Sequence, residues 1–201
     1  MFERQSALSA TLIRNGRDGA MDRCLVQMCE VRGWQLIQVA AFPATIAELC
    51  AAVRTVVDGS LPECTGAAVT AGPWKLLKTS AEQFWILGPE TRDLLAPLRT
   101  TVPAEIGTIT PLSHSRVCVS IEGPAARDLL AQGIALDLHP SEFPVGRFAL
   151  TAMHHTPVLL WRVGEDRYEL YASRTFALSV WEWLADAALA YPRQESLSRS
   201  D

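Results

Sequence analysis

The sequence predicts an α+β fold in which antiparallel sheets are covered by helices. Short apolar runs typical of strands alternate with segments whose apolar residues recur at helical spacing. Residues 86–96 (ILGPETRDLLA) and 121–131 (IEGPAARDLLA) share eight of eleven residues, which indicates a strand-to-helix junction written twice. A final long helix carries an apolar stripe suited to packing on a sheet.

The periodicity and the Gly and Pro positions place each element in turn. Pro43 suits the first turn of a helix, Ile46, Leu49 and Val53 keep helical spacing, and Gly59 ends that helix. In chain order we predict strands near 23–31 and 33–42, a helix at 43–59, strands near 73–78 and 82–87, a helix at 89–98, strands near 105–110 and 115–121, a helix at 124–132, strands near 147–154, 157–163 and 167–172, and a helix at 174–191.

The predicted organisation is one folded unit with two polar ends. Residues 1–20 form an N-terminal extension, charged throughout and without the apolar core of a signal peptide. Residues 21–191 form the α+β domain, with a sub-boundary near the Pro- and Gly-containing, linker-like stretch 60–72. The polar tail 192–201 is predicted to be disordered.

Charge and composition exclude several classes of partner. The net charge of −4 argues against nucleic acid, because phosphate binding needs a basic face. No apolar run approaches the ~20 residues of a membrane span, so no membrane partner is expected. The five cysteines are odd in number and scattered, which favours a reduced, cytoplasmic protein. A mean hydropathy of +0.12 indicates extra apolar surface for a protein partner.

The repeated junction is interpreted as architecture and not as a phosphate site. Gly88 and Gly123 allow a sharp turn after a strand, and Pro89 and Pro124 suit the first turn of a helix. A phosphate loop needs several free N–H groups, and each proline removes one. The two segments are therefore expected to follow similar backbone paths at 82–98 and 117–133.

Candidate metal ligands occur without the spacing that a metal requires. His154 and His155 are adjacent on or beside a strand, so their side chains point to opposite faces. Cys24 and Cys29 also fall on opposite faces of one predicted strand, with no second Cys or His cluster nearby. No metal-binding role is assigned to any residue.

Candidate nucleophiles and bases also lack a recognisable catalytic motif. His114 lies between two serines without a Gly-x-Ser-x-Gly elbow, so turn residues are the preferred interpretation. His139 precedes a proline in a loop, and Asp137 and Glu142 beside it are interpreted as loop carboxylates. No catalytic or cofactor-binding residue is assigned.

The last helix has a second apolar stripe beside the one expected to face the sheet. Its polar side is limited to residues such as Ser179, Glu182 and Asp186. Two interpretations stay open, namely burial inside the chain's own fold, or an interface with another protein in which one tryptophan is the aromatic anchor. The interface residues of the second interpretation are Leu178, Trp181, Ala185 and Leu189.

A family resemblance is carried by the C-terminal half. The run LSHSRVCVSIEGPAARDLLAQGIALDLHPSEFP, followed by PVLLWRV, YELYASRTFA and WEWLADAA, resembles the gamma subunit of heterotetrameric sarcosine oxidase. The match is dense from Leu112 to Leu189 and follows the pattern only from Val26 to Thr101. In that weaker half, EQFWILGP is similar to the family's Trp-containing strand ending in Gly-Pro.

The resemblance implies a complex of alpha, beta, gamma and delta subunits. Such complexes demethylate sarcosine oxidatively to glycine and form H₂O₂, and the carbon passes to tetrahydrofolate or leaves as formaldehyde. FAD, FMN, NAD, tetrahydrofolate and zinc belong to the other subunits, and no catalytic residue is assigned to gamma. The implied fold is that of folate-binding aminomethyltransferase-like domains, with ferredoxin-like plaits of split βαβ units. An isolated chain is thus expected to bind neither flavin nor NAD.

Two alternatives remain beside this one. Related N-methylglutamate-type dehydrogenases carry a similar subunit, and their difference in substrate and electron acceptor leaves almost no trace in it. A stand-alone folate-binding aminomethyltransferase-like protein would need a pocket carboxylate, for which Asp137 is the candidate.

Overall fold

The computed structural model describes residues 6–8 and 25–191. The strands are β1 Gln27–Val31, β2 Trp34–Ala41, β3 Ala68–Ala71, β4 Trp74–Ser80, β5 Gln83–Pro89, β6 Gly107–Pro111, β7 Arg116–Glu122, β8 Phe148–Met153, β9 Thr156–Gly164 and β10 Arg167–Ser173. The α-helices are α1 Ile46–Val57, α2 Leu95–Thr101, α3 Ala126–Ala131 and α4 Ala177–Ala187. Within these residues, none of the helices has the length and apolar character to cross a membrane.

The strands form two antiparallel five-stranded sheets. The N-terminal sheet has the order β3-β4-β5-β2-β6, and the C-terminal sheet has the order β1-β7-β10-β9-β8. In the N-terminal sheet β2 leads into α1, and one strand, β5, lies between β2 and β4. In the C-terminal sheet β7 leads into α3, and β10 lies between β7 and β9 in the same way. This is a split βαβ arrangement. The predicted α+β class with antiparallel sheets is confirmed.

The two sheets have the same arrangement of strands, but one edge strand of each, β6 or β1, comes from a different point in the chain order. In the N-terminal sheet, β6 follows α2 and pairs with β2. In the C-terminal sheet, nothing described after α4 takes that place; β1, from the start of the chain, pairs with β7 instead. The structural counterpart of β5 is therefore β10, and the counterpart of β7 is β2.

This equivalence corrects the interpretation of the repeated junction. The segment 86–96 contains the end of β5, whose structural counterpart is β10, whereas the segment 121–131 contains the end of β7, whose counterpart is β2. The identical residues lie at positions that the duplicated architecture does not relate. Both remain strand-to-helix junctions, but the sequence repeat is not the structural repeat.

The local conformations of the two junctions also differ. β5 continues through Pro89, because β2 is long enough to pair with it at Trp34. Helix α2 then begins only at Leu95, where the Asp93 carboxylate accepts hydrogen bonds from the N–H groups of Leu95 (3.0 Å) and Ala96 (3.2 Å). In the second copy α3 begins at Ala126. The prediction of a helix from Pro89, and of similar backbone paths, is wrong.

The linker-like stretch holds part of the fold. Strand β3 lies within 60–72 and pairs with β4, and Leu61 is buried against α1 and α2. Of the predicted N-terminal extension, residues 6–8 are described, and Leu8 is fully buried in the core of the C-terminal sheet. The rest of that extension, Cys24 and the tail 192–201 lie outside the described residues, and the domain boundaries stay predictions.

Three apolar clusters define four layers. One cluster joins α1 and α2 to the N-terminal sheet, and a second joins α3 and α4 to the C-terminal sheet. The third contains side chains from both sheets and lies between them. The order of layers is helices, sheet, sheet, helices, so each sheet is covered on both faces.

We expect Gly88→Ala to destabilise the fold by about 1–3 kcal/mol. A Cβ at this position would lie 2.2 Å from Trp74 Cε3, so the indole would have to move. Chemical denaturation of the full chain measures the change. Gly164→Ala, where a Cβ meets only Arg167 Cβ at 3.3 Å, is the matched strand control. Equal stability of Gly88→Ala and the unmodified chain would contradict the packing described here.

Candidate functional site

The two glycine junctions are filled by the chain itself. Gly123 has φ +126°, its N–H donates to the Asp166 carbonyl (2.9 Å), and a Cβ there would lie 2.5 Å from the Leu25 carbonyl oxygen. The Trp74 ring occupies the corresponding space at Gly88. Backbone and indole thus pack directly against the two glycines, so each glycine is needed for close packing, in agreement with the architectural interpretation.

The adjacent histidines form a tight turn. His154 and His155 connect β8 to β9, and His154 has φ +51°. Its ring packs edge-on against Trp183 at 4.9 Å, and its N–H donates to the Gly133 carbonyl. Across the described ranges, no group of three or more His, Cys, Asp or Glu residues could hold a metal ion. His154 therefore positions the hairpin against α4.

The His139 loop is held by its own side chains. Asp137 Oδ1 accepts a hydrogen bond from the His139 backbone N–H (2.8 Å), and His139 Nδ1 lies 2.8 Å from Ser141 Oγ. Ser141 Oγ in turn donates to Glu142 (3.2 Å). These groups are exposed, and the Asp137 carboxylate holds the backbone and not the imidazole. The arrangement is a turn motif, without the ordered acid–base–nucleophile relay of a triad.

The serines beside His114 hold the loop that connects the two sheets. The Ser113 hydroxyl accepts a hydrogen bond from the Leu36 N–H (2.9 Å), and the Ser115 hydroxyl donates to the Leu112 carbonyl (2.9 Å). This loop carries the chain from β6 in one sheet to β7 in the other. The interpretation as turn residues is supported.

A polar cluster between the sheets, with a buried carboxylate and a partly exposed lysine, was not found by sequence reasoning. Glu169 on β10 is only 6% exposed, and its carboxylate accepts a hydrogen bond from the Tyr171 hydroxyl (2.5 Å). Lys75 on β4 of the opposite sheet lies 3.7 Å from the other carboxylate oxygen and 4.8 Å from the centre of the Trp161 ring. One ammonium thus meets both a carboxylate and an aromatic face.

The surroundings of this cluster suppress ionisation of its neighbours. Burial, followed by the Glu169 charge, raises the pKa of the Cys118 thiol well above its usual value. The pKa of the Tyr171 hydroxyl is also raised well above its usual value, mainly by burial and to a lesser extent by Cys118 and Glu169. Both groups stay neutral and act as hydrogen-bonding or packing groups. The cluster is therefore suited to fixing one sheet against the other.

The last helix divides the four predicted interface residues. Leu178 is 47% exposed, Leu189 is 75% exposed, and Ala185 is half-buried. Trp181 is only 5% exposed and packs in the core with Tyr168 and other residues of the C-terminal sheet. The role of aromatic anchor predicted for Trp181 is corrected, because its ring is buried in the core of this chain. The interface formed by the other three residues stays a prediction.

Comparisons with known proteins agree with this fold. Residues 40–190 match the model of the sarcosine oxidase, gamma subunit family. The sarcosine oxidase subunit gamma of Corynebacterium sp. (strain U-96) is 32% identical over 146 residues, which is 72% of this chain and 71% of that protein. This chain belongs to the sarcosine oxidase gamma subunit family. The counterpart from Arthrobacter sp. is 34% identical over 70% of this chain and 68% of its own length.

Solved structures extend the similarity of this gamma-family chain to its whole fold. A chain of the heterotetrameric sarcosine oxidase from Corynebacterium sp. U-96 superposes with a TM-score of 0.80 at 29% identity, covering 96% of this chain and 98% of that chain. The glycine cleavage system aminomethyltransferase T from Bartonella henselae gives a TM-score of 0.58 at 17% identity, covering 81% of this chain and 46% of that one. The second likeness is one of fold.

The two buried tyrosines of β10 allow a matched test of the cluster. Tyr171→Phe is expected to destabilise the protein by about 1.5–3 kcal/mol, because the Glu169 carboxylate loses a hydrogen bond in a buried setting. Tyr168→Phe should change stability by about 0.5 kcal/mol or less, because its buried hydroxyl has no hydrogen-bond partner within the described part of the chain. Equilibrium unfolding of the two variants decides; equal effects would contradict the role given to Glu169.

Proposed function

We propose that this chain is the gamma subunit of a heterotetrameric complex that oxidatively demethylates sarcosine to glycine. The observation that carries the proposal is the superposition along 98% of a chain of a solved heterotetrameric sarcosine oxidase, together with the family match. In the proposed complex the one-carbon unit passes to tetrahydrofolate or leaves as formaldehyde, and H₂O₂ is formed. The complex is proposed to work in the cytoplasm.

The chemistry is proposed to reside in the alpha, beta and delta subunits. FAD and FMN would supply the oxidation chemistry there, with NAD, tetrahydrofolate and zinc also held by those chains. Two features support this part of the proposal: Leu25 and Trp74 lie close against the Gly123 and Gly88 junctions, and the described residues hold no metal-ligand cluster. The proposed role of this chain is to assemble and position the larger subunits.

A surface of α4 is proposed as one assembly contact. Leu178 and Ala185 lie on the same side of α4, seven residues apart, and Leu189 lies in the 3₁₀ turn Ala188–Ala190 that follows the helix. Two strongly exposed leucines, one in α4 and one in the turn after it, are unusual beside a helix that buries its other large aliphatic side chains. Burial against a larger subunit would remove both from water, as in obligate interfaces.

Co-expression with the proteins encoded beside this one tests the proposed function. The purified complex should contain this chain in stoichiometric amount and should consume oxygen with sarcosine faster than with N-methylglutamate. A complex that oxidises N-methylglutamate and passes its electrons to an acceptor other than oxygen would replace the proposal by the dehydrogenase alternative. A chain that copurifies with no larger subunit would contradict both.

We expect Leu178→Asp and Leu189→Asp each to weaken assembly while leaving the turnover of the complexes that do form unchanged. A charge placed in an apolar contact costs desolvation energy, on the order of 2 kcal/mol or more at a central position. Pull-down through a tag on a larger subunit, followed by activity per assembled complex, measures both effects.

Ser179→Asp, on the polar side of the same helix and likewise exposed, is the matched control and should assemble normally. Normal assembly of both leucine variants would show that α4 faces solvent in the complex.

A further inference from the structure

Three connections meet at one end of the N-terminal sheet. They are the loop 42–45 between β2 and α1, the turn 81–82 between β4 and β5, and the loop 103–106 between α2 and β6. The Ala41 N–H donates to the Glu82 carbonyl (2.8 Å), and the Phe42 N–H donates to the Ile106 carbonyl (3.1 Å). These bonds make one continuous surface, which we call the Phe42 end.

The Phe42 end exposes apolar side chains at its centre. Phe42 itself is 42% exposed, although it directly follows a strand whose other large apolar side chains are buried. Loop tips are usually polar, since exposed backbone and side chains there meet water. The exposed apolar residues are Phe42, Pro43, Ala44, Ala81, Pro103 and Ala104.

The backbone beside Phe42 is held in a strained conformation. Ala44 has φ +73°, a region that an alanine side chain disfavours. Thr45 Oγ1 lies 2.9 Å from the Phe42 carbonyl oxygen and 2.5 Å from that of Ile106, which fixes the loop. In the equivalent loop of the other half, glycine (Gly123) takes the positive φ. Ala44 is exposed, so packing inside the fold does not offset the strain. We therefore interpret the strained conformation as one that holds the Phe42 side chain outward for a partner.

Charged groups surround this apolar centre unevenly. Glu82 and Glu105 lie in two of the three loops and are exposed, and Glu48 lies in the first turn of α1. Two basic residues are near along the chain: Lys78, whose ammonium donates a hydrogen bond to the Glu63 carbonyl (2.8 Å), and Arg99 in the last turn of α2. The three carboxylates outnumber the two cations, one of which is already held by the Glu63 carbonyl, so this apolar centre is complementary to an apolar pocket bordered by Lys and Arg.

We propose that the Phe42 end docks into an apolar pocket, bordered by basic residues, on a larger subunit of the complex. This inference rests on the proposed function, because it needs a complex in which this chain is one subunit. It adds a second contact on the opposite outer half of the molecule from α4, since α4 covers the C-terminal sheet and the Phe42 end belongs to the N-terminal sheet. The chain then joins the complex through both of its halves.

Substitution of Phe42 tests the contact in the co-expressed complex. Phe42→Asp is expected to lower the affinity of this chain for the larger subunits about thirtyfold or more, as for a central aromatic anchor. Leu150→Asp, on the edge strand β8 of the other sheet and 56% exposed, is the matched control and should assemble normally. Equal losses in the two variants, or no loss in Phe42→Asp, would overturn the inference.

A second substitution separates docking from folding. Ala44→Gly removes the strain and should not lower the unfolding temperature, yet it should weaken assembly several-fold because the loop loses its fixed conformation. Glu82→Lys with Glu105→Lys should slow association and reverse its sensitivity to salt. An Ala44→Gly variant that assembles as well as the unmodified chain would contradict the presentation of Phe42 by strain.

A photo-crosslinking amino acid at position 42 identifies the occupant. A crosslink to a larger subunit, absent when the probe is placed at position 150, is the expected result. A crosslink to a second copy of this chain, or none, overturns the inference while leaving the proposed function intact if sarcosine oxidation and copurification persist. If the unmodified chain does not copurify at all, the proposed function and this inference both fail.

Discussion

The face-to-face packing of the two sheets is the constraint on which the rest of the structure depends. Three tryptophans, Trp34, Trp85 and Trp161, are buried in this layer with Tyr171, whose ring meets Trp34 edge-on at 5.5 Å. Each indole N–H finds an acceptor at the margin of the layer, on Val31, Gln38 and Gly146. Large apolar rings can therefore be buried here without an unsatisfied donor.

This packing explains why the chain's contribution is expected on its outside. Each sheet uses one face for its own helices, so its second face must be covered by the other sheet. The layer between them is filled by aromatic and aliphatic side chains, and the ion pair of Lys75 with Glu169 is engaged with Tyr171 and Trp161. Residues that fill and fix an interior are not free to bind a substrate. Outer surfaces such as the Phe42 end and the exposed side of α4 remain for partners.

Local patterns predicted most elements, because alternation and helical spacing are properties of neighbouring residues. They did not predict which sheet a strand joins: β1 and β2 are separated by two residues, yet they belong to different sheets. Pro89 was assigned to a helix because proline suits a first turn, but pairing with β2 keeps it in a strand. The Glu169–Lys75 pair was not predicted either, because the two residues are 94 positions apart in the sequence and only the packing of the sheets brings them together. Leu178 and Leu189 are exposed, which leaves their predicted interface role open. Trp181 was assigned to the wrong side because two apolar stripes do not reveal which one faces the core.

The central claim is that neither half is complete without the other, because the layer between the sheets belongs to both. Native-state hydrogen exchange, resolved strand by strand on the full-length chain, tests this most directly. The amides of β2 and β5 in one sheet and of β7 and β10 in the other should open with the same free energy and the same dependence on denaturant. Opening of one sheet at a free energy several kcal/mol below the other would contradict the account, because it would show two separately stable domains in contact.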